Sequence, residues 1–454
     1  MANQNLLTVF SKVFMSEQFY YAPSAVVPTT GLPISSVYCF LAKVDPWSDN
    51  NNPPAPTEDV KSLKNVFKNI FVTKQVYSGD ITPVLPRVDW TSGVTYDYYR
   101  DDVDMLAVDS IGNRVYNFYV KNQYDQVFKC LWNNNGQPST IEPYFQPGQY
   151  NTNNIFQSTD GYKWKYIFTV DIGSKVKFMD NQWIPVPIGN YSPNPNLYTP
   201  GVGDIEVINV LNGGSGYDAA NSPITITVTG DGTGANGYAT VVNGSINDII
   251  VTNTGSNYTY ANVSITSANG SGAIAIAPTS PIGGHGSDPT SELGATSVML
   301  SCQFNGSESG YIPTDITYYQ VGLLLSPASL SSSPNPANGA IYKTTTDIIV
   351  AAGNGLFQSD EIVFQGTSLQ TATFTATVLS FDPTNNILHI INKTGNLITN
   401  AQLFGNTSQT ARTVLSYSLP DFIKSSGYLA YIENRSGIQR SSDGIEQVKI
   451  ILSF

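Results

Sequence analysis

Residues able to do chemistry are sparse in this chain, and none stands in a spacing that completes a reaction. Asp101, Asp102 and Asp104 follow the aromatic stretch 96–99 beside Arg100. Paired carboxylates can cleave glycosidic bonds when they flank a cleft with an aromatic platform. Adjacency in sequence does not supply that geometry, so the cluster reads as a solvated turn. His285 lies in Gly283-Gly284-His285-Gly286-Ser287-Asp288, where an imidazole could act as base or ligand if other donors converged. None is evident nearby, and the second of the two histidines, His389, alternates within the stretch 388–391, which rules out a histidine-rich metal site. His285 therefore reads as a hydrogen-bonded loop residue. Gly232-Thr233-Gly234-Ala235-Asn236-Gly237 fits G-x-G-x-x-G, but dinucleotide binding needs that turn to open a helix, and residues 238–242 are β-forming. It is a strand-turn device. Neither a G-x-S-x-G elbow nor a Walker loop occurs, and no triad spacing is recognisable. We expect no catalytic, cofactor-binding or metal residues, and no enzyme.

The elements that would have to position any site are mostly strands. Asp160-Gly161-Tyr162-Lys163-Trp164-Lys165-Tyr166 couples a tight turn to a strand whose rings, Tyr162, Trp164 and Tyr166, recur at a period of two and so share one face. Three rings on one face need a partner surface. The stretches 116–131 and 162–170 read as strands separated by the turn-rich segment 133–154. One amphipathic helix is predicted over 60–71, where Val60, Leu63, Val66, Phe67, Ile70 and Phe71 form a stripe and Thr57 or Asp59 is available as N-cap. Lys61, Lys64, Lys68 and Lys74 then form its solvated side.

Composition agrees with an all-β reading. Charged residues are only 12% of the 454, and Asn, Ser, Thr, Gly and Tyr take their place, a palette that suits strands and turns over helices. The formal charge of −12 excludes non-specific duplex binding, which depends on Lys and Arg displacing counterions, and disfavours anionic membranes. The three cysteines, Cys39, Cys130 and Cys302, are widely separated, so neither a disulfide framework nor zinc spacing is visible, and they read as buried thiols of a reducing compartment. No signal peptide and no run of about 18 apolar residues appears, so a soluble, unexported chain is expected. Asn-x-Ser/Thr triplets such as 190–192 and 305–307 predict no glycans.

From 201 to 277 the composition shifts and a repeat appears. Gly214-Ser215-Gly216-Tyr217 is echoed by Gly255-Ser256-Asn257-Tyr258, and each echo leads into an alternating strand and then Gly232-Thr233-Gly234-Ala235 or Gly270-Ser271-Gly272-Ala273. One β unit is used twice, in a compact module of two packed copies. Tyr217, Tyr258 and Tyr260 could stack on sugar rings, or they could close the module's own core. A second module runs from about 353 to 415, where Glu361-Ile362-Val363-Phe364 is loosely mirrored by Ala401-Gln402-Leu403-Phe404. The stretches 297–304 and 318–325 read as buried strands, the loop 326–339 as exposed, and 447–454 as a closing strand.

Several islands in order carry a resemblance: Pro46 and Trp47; Pro86, Arg87, Asp89 and Trp90; 128–131; Asp160, Gly161, Tyr162, Trp164 and Tyr166; 319–323; and Glu433, Asn434 and Arg435 through to 454. This order resembles the gene-eight family of baseplate wedge subunits of T-even-like contractile-tailed bacteriophages. The resemblance implies a mainly β, non-enzymatic virion protein; together with the residue patterns it gives the expectation of a multi-layer antiparallel β-sandwich core with one helix in its N-terminal region and no cofactors. It further implies a homodimer that joins other baseplate wedge proteins in a tail baseplate assembled in the host bacterial cytoplasm, while the inserted modules are expected to reach neighbouring wedge or peripheral fibre proteins, and no nucleic acid, membrane or small-molecule partner is expected. Both modules would be insertions. The expected organisation is core from 1 to 200, repeat module 201–280, core 281–350, second module 351–416 and C-terminal core 417–454. The alternative is a carbohydrate-binding adhesin or host-recognition module acting through the tyrosines of the repeat. A third possibility, a glycan-degrading enzyme, would need Asp102.

Overall fold

In the computed structural model, residues 8–24, 36–110, 112–146, 155–188, 203–281, 283–308, 310–331, 333, 337 and 339–454 are described. The triplet 190–192 and parts of the segments 133–154 and 326–339 lie outside them. Strands dominate, and their ladders are antiparallel. The chain divides into two compact units, one formed by Met1–Glu17, Thr82–Met299 and Ile451–Phe454, the other by Gln18–Ile81 and Leu300–Ile450.

The first unit contains a four-stranded sheet in the order Tyr119–Lys121, Gln126–Asn133, Tyr162–Thr169, Ile155–Gln157. The single stretch expected over 116–131 is thus two strands, because Asp125 turns the chain with a φ of 59°. One face of this sheet buries Tyr96, Phe128, Cys130, Tyr162, Trp164 and Tyr166. Tyr162 stacks on Trp164 at 5.4 Å, Tyr96 meets Trp164 edge-on at 5.9 Å, and Phe145 stacks on Tyr166 at 4.1 Å. The partner surface that three rings require is therefore supplied by this chain.

The repeat forms six strands from Asn209–Ser215 to Ser271–Ile276, and its pairing registers reveal an internal two-fold. Ser215 pairs with Ser271 and Gly213 with Ala273, while the equivalent pairs Ser256 with Thr233 and Thr254 with Ala235 lie in the other half. Even the register slips coincide, at Ile274/Ala275 and at Asn236/Gly237. The copies interdigitate. Tyr217 of the first lies over Gly270 of the second, where a Cβ would fall 2.3 Å from the ring, and Tyr258 of the second lies over Gly232 of the first, where it would fall 2.4 Å away. Each phenol oxygen accepts one backbone N–H, from Ala273 and Ala235 respectively.

The second unit holds a five-stranded sheet in the order Ile341–Lys343, Ile70–Val76, Val37–Ala42, Ile316–Leu325, Tyr428–Arg440. Its core includes Tyr38, Phe40, Val66, Ile70 and Leu324. The expected helix is Val60–Asn69, N-capped by Asp59, whose carboxylate accepts the Ser62 N–H, while the Thr57 hydroxyl donates to Asp59. It stops short of the predicted end because Ile70 and Phe71 pass straight into a strand, so Lys74 is a strand residue and not part of a helical face. Three more helices occur among the described residues: Val9–Tyr21, Ile172–Phe178 and Pro289–Leu293.

Thr346–Val350 through Ala411–Ser418 close a six-stranded barrel around Ile348, Val363, Val378, Leu388, Leu403 and Val414. It too is internally two-fold. Ile348 pairs with Leu388 and Phe364 with Phe404, and both pairs are 40 residues apart in the chain. The mirrored phenylalanines stack on each other at 5.6 Å, so the loose sequence echo marks the barrel's own symmetry axis.

Candidate functional site

The strand that presents Tyr162, Trp164 and Tyr166 on one face presents Lys163 and Lys165 on the other, since successive side chains alternate. Lys129, paired with Lys165 across the ladder, joins them. All three are buried, which is costly unless each ammonium meets a carboxylate. Lys163 bonds Asp248 at 2.7 Å and the Ile208 carbonyl at 2.8 Å. Lys165 bonds Glu206 at 2.9 Å, and Lys129 bonds Glu292 at 2.6 Å. Glu206 and Asp248 flank the repeat's symmetry axis, marked by the isolated bridge between Ile208 and Ile249. The repeat is thereby fastened to the lysine face by buried ion pairs.

His285 completes this network. Its Nδ1 lies 2.9 Å from both Lys129 Nζ and Glu292 Oε1, its backbone N–H donates to Glu206, and its ring meets Tyr99 edge-on at 4.7 Å. Lys129 also sits over the Tyr99 ring at 3.8 Å. Burial and the neighbouring Lys129 push the His285 pKa below the usual histidine range. Burial alone would raise Glu292, but Lys129 and His285 overcome it and hold the carboxyl well below the ordinary glutamate value. Burial likewise would raise Glu206, and Lys165 and His285 bring it down. Histidine, lysine and glutamates could exchange protons, but each here is sealed and spent on a neighbour, an arrangement that fixes structure and presents no reacting atom to solvent. Sequence reasoning missed Lys129, Lys163, Lys165, Glu206, Asp248 and Glu292. The available signal was the alternation of lysines with rings in a strand buried on both faces.

The resemblance-bearing residues gather in two places. In the first unit, Arg87 pairs with Asp89 at 2.9 Å, and Pro86 accepts the Tyr119 hydroxyl at 2.7 Å. Trp90 donates to Ser139, and Ser139 donates to Asp160. The Asp160 carboxylate also takes the N–H groups of Thr140, Ile141 and Tyr162; burial would raise its pKa, and these bonds lower it. Gly161 has a φ of 86°, and a Cβ there would lie 2.7 Å from Asn134. In the second unit, the Trp47 indole donates to the Arg435 carbonyl at 2.8 Å, Asn434 donates to the Pro54 carbonyl, and Arg435 pairs with Glu433. Exposed Pro46 opens that loop.

Other sequence candidates are also accounted for. Asp102 pairs with Arg100, Asp101 accepts both the N–H and the hydroxyl of Thr279, and Asp104 accepts the Leu106 N–H. His389 bonds Asp347 at 2.7 Å. Tyr217 and Tyr258 are buried, so their faces are closed to a sugar, while Tyr260 is exposed. A cleft of about 600 Å³ lies between Asp160–Gly161 and the repeat, lined by Asn134, Asn135, Gln157 and Asn247 among others. The two carboxylates on its wall, Asp160 and Asp248, are already engaged. Among the described residues no cluster of His, Cys, Asp or Glu could hold a metal, and no helix is long and apolar enough to cross a membrane.

Comparison with known proteins adds one relationship. The chain is similar to the baseplate wedge protein gp8 of Enterobacteria phage T4. The two are 21% identical over 179 residues, which cover 34% of this chain and 53% of gp8. The chain thus matches about half the length of that relative. No family model matches it.

Proposed function

We propose that this chain is a structural subunit of a phage contractile-tail baseplate wedge, which dimerises and binds neighbouring wedge proteins. The observation that carries the reading is the similarity to gp8. A fold in which the candidate acids and bases, and the rings of Tyr217 and Tyr258, are engaged in internal contacts supports a structural and non-enzymatic role. Such a subunit holds fixed geometry among many copies, and broad permanent interfaces favour neutral hydrogen-bonding and aromatic surfaces over charged ones, which gives the 12% charge content a use. Its place would be the virion tail, assembled in the host cytoplasm, and the repeat and barrel would meet neighbouring wedge or peripheral fibre proteins. Sedimentation of the purified chain tests the first step. A dimer at high concentration supports it, and a strict monomer that also fails to bind co-expressed wedge proteins refutes it.

A further inference from the structure

Cys39 and Cys302 stand far apart in the sequence, yet the second unit brings them together. Cys39 lies on the strand Val37–Ala42 and Cys302 on Ser297–Asn305, both thiols are buried and free, and Cys302 is near enough to Cys39 to help raise its pKa. An independent contact fixes the same approach. The register pairs Cys39 with Lys74, and the Lys74 ammonium reaches the carbonyl of Gln303, the residue after Cys302, at 2.6 Å. Side chains at the level of Cys39 therefore lie directly against the strand segment that carries Cys302. Cys130 belongs to the other unit, where its thiol faces the Trp132 carbonyl.

We propose that Cys39 and Cys302 are a latent disulfide, a two-thiol modification site that closes when the protein meets a low-molecular-weight disulfide oxidant. The thiolate of one cysteine attacks the oxidant R–S–S–R and releases one R–S⁻, giving a mixed disulfide. The thiolate of the other then displaces the second R–S⁻. Two protein thiols are oxidised, the oxidant is reduced to two R–SH, and the protons lost by the cysteines end on the released thiols. The contact with Cys302 and burial both hold the Cys39 thiol well above its ordinary pKa, which makes the thiolate scarce in the closed fold. Exchange consequently proceeds through openings that expose the strand, and the cross-link, once made, ties together segments closed by a very long loop. This inference does not depend on the proposed function.

The test is incubation of the full-length protein with excess oxidised glutathione, with and without a cycle of unfolding and refolding. It is followed by intact mass, a non-reducing peptide map and thermal melting. The expected result is loss of two hydrogen atoms in mass, a Cys39–Cys302 linked peptide, free Cys130, and a melting temperature raised by roughly 5 °C. Cys302→Ser should abolish the linked peptide. Both thiols still free after refolding in the oxidant would overturn the proposal, as would only glutathione adducts or links to Cys130.

Discussion

Lys129 shows how much of this molecule is decided by single buried charges. Its ammonium is completely buried and held by Glu292 at 2.6 Å. Glu292→Gln removes the charge and strands that ammonium, so urea unfolding should show a loss of about 3–5 kcal/mol, whereas replacing Lys129 and Glu292 together with Met and Leu should recover most of it. The same network fixes a pH dependence. His285 has a folded pKa below its ordinary 6.5, so the unfolded chain takes up the proton first, and its contribution is present above that pH and is lost as pH falls. Glu292, depressed from its ordinary 4.5, adds a second loss as pH falls through the carboxylate range. Melting temperature should therefore decline between about pH 7 and about pH 4, and His285→Gln should flatten the upper part of that decline. None of this was legible in the sequence. Lys129, Glu206, Asp248, His285 and Glu292 converge only after folding, whereas a motif search sees neighbours along the chain.

At the scale of elements, period and turn chemistry were readable, and boundaries and partners were not. Tyr162, Trp164 and Tyr166 announced a one-faced aromatic strand because the side-chain period of a strand is fixed, and the rings do share a core. Trp164→Ala should cost about 3–5 kcal/mol in denaturant unfolding, and a variant of unchanged stability would contradict the packing. Periodicity misplaced the end of the helix Val60–Asn69, since Ile70 and Phe71 continue an apolar pattern that helix and strand share. It also passed over Val9–Tyr21, whose start is marked only by Thr8, which accepts the Ser11 N–H. The repeat was visible as Gly-Ser-Gly-Tyr and Gly-Ser-Asn-Tyr, but not its interdigitation. That arrangement makes an unusual forecast: Gly232→Ala and Gly270→Ala, in different copies, should damage the module alike, because each pushes a Cβ into the tyrosine of the other copy. Circular dichroism melts of the two variants compare them directly.

For the whole molecule, strands, apolar and aromatic cores and internally satisfied charges describe a chain built to keep its shape. Low charge and abundant Asn, Ser, Thr and Tyr pointed toward β structure from the outset, and the ordered islands pointed toward baseplate wedge subunits. The similarity to gp8 covers 34% of the chain. The most direct measurement is negative-stain electron microscopy of this protein co-expressed and co-purified with the products of the genes beside its own. Wedge-shaped particles in which this chain is a stoichiometric component are the expected result. Recovery of the chain alone, as isolated monomers, while the neighbouring products assemble without it, would contradict a place for this protein in the baseplate wedge.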